Sequence, residues 1–161
     1  EGGECYRALR AVEDAVGRKV SATISAEIGG ANAMEPIIAA AMAGLPVIDG
    51  DGMGRAFPEV QMTTFFIYGA KPAPAAIADD KGNVVVFKEM VDMFWLERFA
   101  RDVSVGMGAA AGLARAIGGC AGRSVGYVTG IGSGRRANGG DPGGGGGGCG
   151  ASGALHQHGG G

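Results

Sequence analysis

Glycine placement constrains this chain more than any other feature. Residues 118–161 carry 20 glycines in 44 positions, against 14 in the first 117. In that stretch only Val125, Tyr127, Val128, Ile131 and Leu155 are large and apolar. So little apolar surface cannot offset the backbone entropy lost when glycine is ordered. The pattern predicts one folded unit over 1–117 and a glycine-rich, disordered tail over 118–161. The tail is dominated by Gly, Ala, Arg, Cys, Pro, Ser and His, most of which GC-rich codons specify. That bias suggests an out-of-frame or chimeric reading that begins somewhere after Ala111.

The first part alternates helix and strand signals. "ECYRALRAVEDAVG" (4–17) spaces Leu9, Val12 and Val16 as one helix face and ends at Gly17. "KVSATISAEIGG" (19–30) is β-branched and predicts a strand closing at Gly29-Gly30. "NAMEPIIAAAMAG" (32–44) predicts a helix with Asn32 as N-cap, Glu35 as its capping-box partner and Pro36 in the first turn. "LPVIDG" (45–50) reads as a short strand delivering Asp49 at its end, and "QMTTFFIYG" (61–69) as a strand or buried segment. "PAPAAIADDKG" (72–82) reads as a short helix or loop with a turn at Asp80–Asn83, followed by a strand, "NVVVFKE" (83–89). Residues 90–116 read as a long apolar helix with a break near Gly106-Met107-Gly108. The class is α/β, with a mixed or parallel sheet flanked by helices.

Charge and cysteine content exclude several functions. Net charge is −2 with 46% hydrophobic residues, which gives no reason to expect nucleic acid or an anionic membrane as partner. Charges interrupt every apolar stretch before about 18 residues, and no signal sequence is visible, so the cytoplasm is the expected compartment. The start, "EGGECYRALR", lacks methionine and reads as mid-domain sequence from a longer protein. Cys5, Cys120 and Cys149 are too few and too scattered for a disulfide framework or a cysteine-based metal site. His156 and His158 lie in the suspect tail, so a divalent metal is neither required nor excluded.

Two stretches concentrate candidate chemistry where strands end, which is where open α/β sheets bind ligands. "VIDGDGMGRAFPE" (47–59) carries Asp49, Asp51 and Glu59 as acceptors and Arg55 as a planar donor. Its Gly50, Gly52 and Gly54 would let backbone approach a ligand, although a solvated turn has the same composition. A calcium loop starting at Asp49 fails, because Met53 and Val60 occupy two ligand positions. "AEIGGANAMEP" (26–36) offers Glu27 as a base, the Gly29 and Gly30 amides, and Asn32 as a partner for polar ring atoms, or else only a capped helix start. "MFWLERF" (93–99) reads as core or as a subunit interface, which leaves a homo-oligomer open. No nucleophile-elbow pattern is present.

The segment "EIGGANAMEPIIAAAMAGLPVIDGDGMGRAFPEVQMTTF" (27–65) strongly resembles the S-methyl thiohydantoin desulfurase family. The likeness extends from "RALRAVEDAVGRKV" through "DDKGNVVV" to about "VGMGAAAG", roughly residues 4–112. It implies a hydrolase that takes sulfur from a small cyclic thiohydantoin or hydantoin-like substrate by adding water at the sulfur-bearing carbon. In that chemistry Asp49 or Asp51 would serve as base or metal ligand, and Arg55, supported by Glu59, would orient a ring oxygen. Glu27, Gly29, Gly30, Asn32, Gly52 and Gly54 would form the substrate pocket. The family's glycine-rich N-terminal start and its C-terminal, mostly β domain have no counterpart here, so this chain alone is expected to lack parts of the enzyme. The competing expectation is a non-catalytic domain that binds a cyclic imide or serves assembly.

Overall fold

The computed structural model describes residues 3–56, 58–118 and 124–132. Among them, helix α1 (Glu4–Val16) leads to strand β1 (Ala22–Ser25) and, after a 3-10 turn (Gly30–Ala33), to α2 (Glu35–Ala43) and β2 (Val47–Asp51). A second 3-10 turn (Val60–Met62) and the short α3 (Thr64–Ile67) precede the hairpin of β3 (Ala75–Ala78) and β4 (Val84–Phe87). Helix α4 (Met93–Gly106) and strands β5 (Ala110–Gly118) and β6 (Ser124–Gly132) complete the described chain. The strands form one sheet in the order β2-β1-β6-β5-β3-β4. β1 runs parallel to β2 and to β6, and the other pairs are antiparallel. The class is therefore α/β with a mixed sheet, as the sequence predicts.

Helices cover both faces, and strand alternation sorts the side chains between them. Ala76, Ala78, Ala114 and Val128 meet Cys5, Ala8, Leu9 and Val12 of α1 and Ala39 of α2. Ala75, Ile77, Leu113 and Ile131 point the other way, against Met93, Leu96 and Ala100 of α4. The α1 face is built from small residues because the helix lies close. A Cβ on Gly112 would fall 2.5 Å from the Cys5 backbone nitrogen.

Four expectations are corrected. Residues 75–78, read as helix or loop, form β3; two buried faces erase the polar alternation that marks a half-exposed strand. The long helix stops at Gly106, because Gly108 and Ala109 take left-handed backbone (φ 104° and 69°), and 110–118 is strand. Residues 61–69 hold a 3-10 turn and a single helical turn in place of a strand, with Phe65 set edge-on against Tyr127. Disorder expected from 118 onward does not hold for Ser124–Gly132, which pairs with β5 along nine register positions. Cys120, Cys149, His156 and His158 lie outside the described residues.

Glu13 closes the first turn of the fold. Its carboxylate is buried and accepts from Arg10 Nη1, Lys19 Nζ (2.9 Å) and the Val20 N–H (2.9 Å). Burial opposes the charge, but these donors outweigh it and hold the Glu13 pKa below the ordinary value. A depressed folded-state pKa gives stability that is present above the unfolded value, about 4.3, and is lost as pH falls through the folded one. Urea unfolding of wild type and Glu13→Gln should therefore differ at neutral pH and converge as pH drops below about 4. A gap independent of pH would mean that the carboxylate charge adds nothing.

Candidate functional site

Ser25 ends β1 and ties the bend that follows. Its hydroxyl donates to the Glu27 carbonyl at 2.5 Å, and its oxygen accepts the Glu27 N–H at 3.2 Å. The bend turns Glu27 inward, where it is only 7% exposed. Asn32 then bridges two distant parts of the chain: its Nδ2 donates to Glu27 Oε1 at 2.5 Å, and its Oδ1 accepts the Gly130 N–H at 2.9 Å. The two contacts fix the amide orientation, since a flipped amide would face oxygen to oxygen and N–H to N–H. Gly130 permits this approach, because a Cβ there would lie 2.7 Å from Asn32 Oδ1.

Asn32 is thus not the cap of the following helix. α2 starts at Glu35 with Met34 at its N-cap and no side-chain cap bond, and a 3-10 turn occupies 30–33. The expected capping box gives way to a side chain bonded to Glu27 and Gly130. Pro36 does fall in the first turn, and Gly44 closes the helix with φ 69°.

Glu27 and Asn32 line a cleft of about 170 Å3 together with Glu59, Arg101, Tyr127 and Thr129. The cleft opens at the carboxyl ends of the parallel strands β1 and β6, the end of an α/β sheet where ligands bind. It has room for one small ring and is below the ~300–1,000 Å3 typical of drug-sized pockets. Glu97 braces its rim: it accepts the Val60 N–H at 3.0 Å and pairs with Arg101, which also donates to the Pro58 carbonyl at 2.8 Å. Tyr127 is fully buried, and burial foremost raises its pKa; Arg115 opposes the rise, and Glu27 and Glu97 add to it.

The other candidates are placed around this cleft with different tasks. Asp51 Oδ2 accepts the Ile28 N–H (2.9 Å) and the Gly54 N–H (2.9 Å), and Oδ1 also faces the Gly54 N–H (3.0 Å). Asp51 therefore straps the loop after β1 to the loop after β2. Gly52 N–H donates to the Ala26 carbonyl, and a Cβ on Gly52 would lie 2.6 Å from the Phe65 ring. Gly29 packs as closely against Ala56, and Gly30 opens the 3-10 turn. Gly54 turns the loop, Asp49 is exposed on the edge strand, Arg55 is exposed, and Glu59 accepts from Gln61. Among the described residues no group of three His, Cys, Asp or Glu could hold a metal ion, and no helix is long and apolar enough to cross a membrane.

Arg101, Tyr127, Thr129 and Gly130 escape sequence reading. The Glu97/Arg101 spacing of four on an apolar helix was a usable signal for the first of them. The rest sit in a segment whose glycine content argued against order.

The comparisons agree with the resemblance. A family model described as "S-Me-THD-like, N-terminal domain" matches residues 1–89. An X-ray crystal structure of a protein from Chromobacterium violaceum is similar, with 28% identity and a TM-score of 0.56. The similarity covers 65% of this chain and 29% of that one, so this chain spans less than a third of that relative. No curated protein matches the chain. The family match contains Glu27, Asn32 and the 47–59 loop, whereas the cleft's Arg101, Tyr127 and Thr129 lie beyond it.

Proposed function

Because the chain belongs to the S-Me-THD-like family as its N-terminal domain, we propose that the intact protein is a hydrolase that removes sulfur from a thiohydantoin-type ring. The carrying observation is the buried Glu27 carboxylate, oriented by Asn32 in the wall of a cleft sized for one small ring. Glu27 takes a proton from water as the water oxygen bonds to the sulfur-bearing ring carbon. The carbon–sulfur bond then breaks, and the thiol leaves with the proton returned from Glu27. The carbon–nitrogen double bond that opens on attack leaves its electron pair on the ring nitrogen, which takes the second water proton. The ring keeps the new oxygen as a carbonyl, so one water is consumed for each thiol released. A base in this role needs a defined direction toward the water, and the Asn32–Gly130 bridge gives Glu27 one.

In this reading Asp51 keeps the two loops together and does not exchange protons with substrate. Thiol release from a panel of S-methyl thiohydantoins by the intact protein is the test. Release by wild type supports the hydrolase reading. Thermal stabilisation by hydantoin without any thiol release would instead leave a cyclic-imide-binding domain.

A further inference from the structure

Tyr127 carries a hydroxyl that no described residue uses. The residue is fully buried, forms part of the cleft wall, and its Oη has no hydrogen-bond partner among the described residues. Leaving a buried hydroxyl unpaired costs about 1–3 kcal/mol, and a phenylalanine would fill the same space without that cost. The ring itself is firmly held. Phe65 meets it edge-on at 5.5 Å, and the Arg115 guanidinium, across the β5–β6 ladder, lies 5.5 Å from its centroid. Arg115 is fully buried too and donates from Nη2 to the Lys71 carbonyl. A cation against the ring draws electron density from the phenol and strengthens its O–H as a donor. The cleft lining thus combines a neutral donor with a carboxylate, a pairing suited to a ring with an amide oxygen.

We propose that the Tyr127 hydroxyl donates a hydrogen bond to the ring carbonyl oxygen that is remote from the sulfur-bearing carbon, and so selects cyclic amides as ligands. The inference rests on the hydrolase or imide-binding reading of the same cleft. It makes Tyr127 a ligand-binding residue whose hydroxyl is a burden to the empty protein.

The test is calorimetric titration of wild type and Tyr127→Phe, as full chains, with hydantoin and with ethylene urea, the same ring with one carbonyl fewer. Melting of both proteins without ligand is recorded alongside. Tyr127→Phe should bind hydantoin roughly tenfold more weakly than wild type and should lose little or no affinity for ethylene urea. Its unliganded melting midpoint should equal or exceed that of wild type. Equal hydantoin binding by the two proteins overturns the inference and leaves the function standing. So does a lowered melting midpoint that accompanies equal losses for both ligands, since that marks a structural role. A wild type that neither binds hydantoin nor releases thiol overturns the inference together with the function it rests on.

Discussion

Glu27→Gln should lower thiol release by the intact protein by at least about 100-fold, because a positioned general base contributes roughly 10²–10⁴. The substitution is suited to the question. Glutamine keeps an oxygen for Asn32 Nδ2 at the Glu27 position, so the bridge from Asn32 to Gly130 survives. What is lost is the capacity to take a proton. Asp51→Asn is the matched comparison, since the family resemblance implies Asp49 or Asp51 as the base and places Glu27 in the substrate pocket. Its oxygens already receive the Ile28 and Gly54 amides. Asparagine retains one of them, so less than a tenfold loss is expected, corresponding to about 1 kcal/mol for one weakened hydrogen bond. Rates measured at saturating substrate on the two variants decide the matter. A large loss at Asp51 with Glu27→Gln near wild type would move the base to the second loop.

Gly112→Ala should be the most damaging single methyl group in the fold. The new Cβ would stand 2.5 Å from Cys5 N, 2.6 Å from Cys5 Sγ and 2.8 Å from Cys5 Cα. Two of those atoms are backbone, so no rotamer change relieves the clash and α1 must lift from β5. Overpacking of this kind costs about 3 kcal/mol, near the upper end of its usual range. For a chain of this length that corresponds to a fall of roughly 10 °C in melting midpoint. Gly106→Ala is the control: nothing lies within 4 Å of a Cβ there, and the residue is the last of α4. Alanine there should be neutral or stabilising by up to about 1 kcal/mol. If Gly112→Ala melts with wild type, α1 does not seat on the sheet as closely as described.

Local signals were enough for the elements with one wet face or a clear stop. α1 was legible because Leu9 and Val12 repeat at helical spacing and Gly17 takes the left-handed cap. The β3–β4 turn was legible from Asp80–Asn83, where Asp79 receives the Asn83 N–H. β3 and β5 were not, because Ala and Gly under close-packed helices carry neither polar alternation nor a strand-like propensity. β6 failed for a sharper reason. Its glycines, counted as evidence against order, stand where other groups approach: a Cβ on Gly126 would lie 2.6 Å from Leu9 Cδ1, and one on Gly130 would meet Asn32. Glycine there records a neighbour that is more than 90 residues distant in the chain, which no local window contains. The site divides the same way. Glu27 and Asn32 are five residues apart and could be paired on sequence. The proposed base is Glu27 in preference to Asp51 because Asp51 receives backbone donors that only the folded loops supply.

The position of β6 has a consequence for how the chain reaches this state. It is the last described strand in sequence and the third in the sheet, between β1 and β5. Until it emerges from the ribosome, the chain holds two separate pieces, β2-β1 and β5-β3-β4, each with an open edge facing the gap. Such edges are templates for pairing with other chains. Pairing of β1 with β6 joins residues about 100 positions apart, a slow closure for a chain of this size. The same closure brings Gly130 to Asn32, so the Glu27–Asn32 pair acquires its anchor at the moment the sheet becomes continuous. A nascent chain halted before residue 124 would therefore be both without an oriented site and prone to self-association.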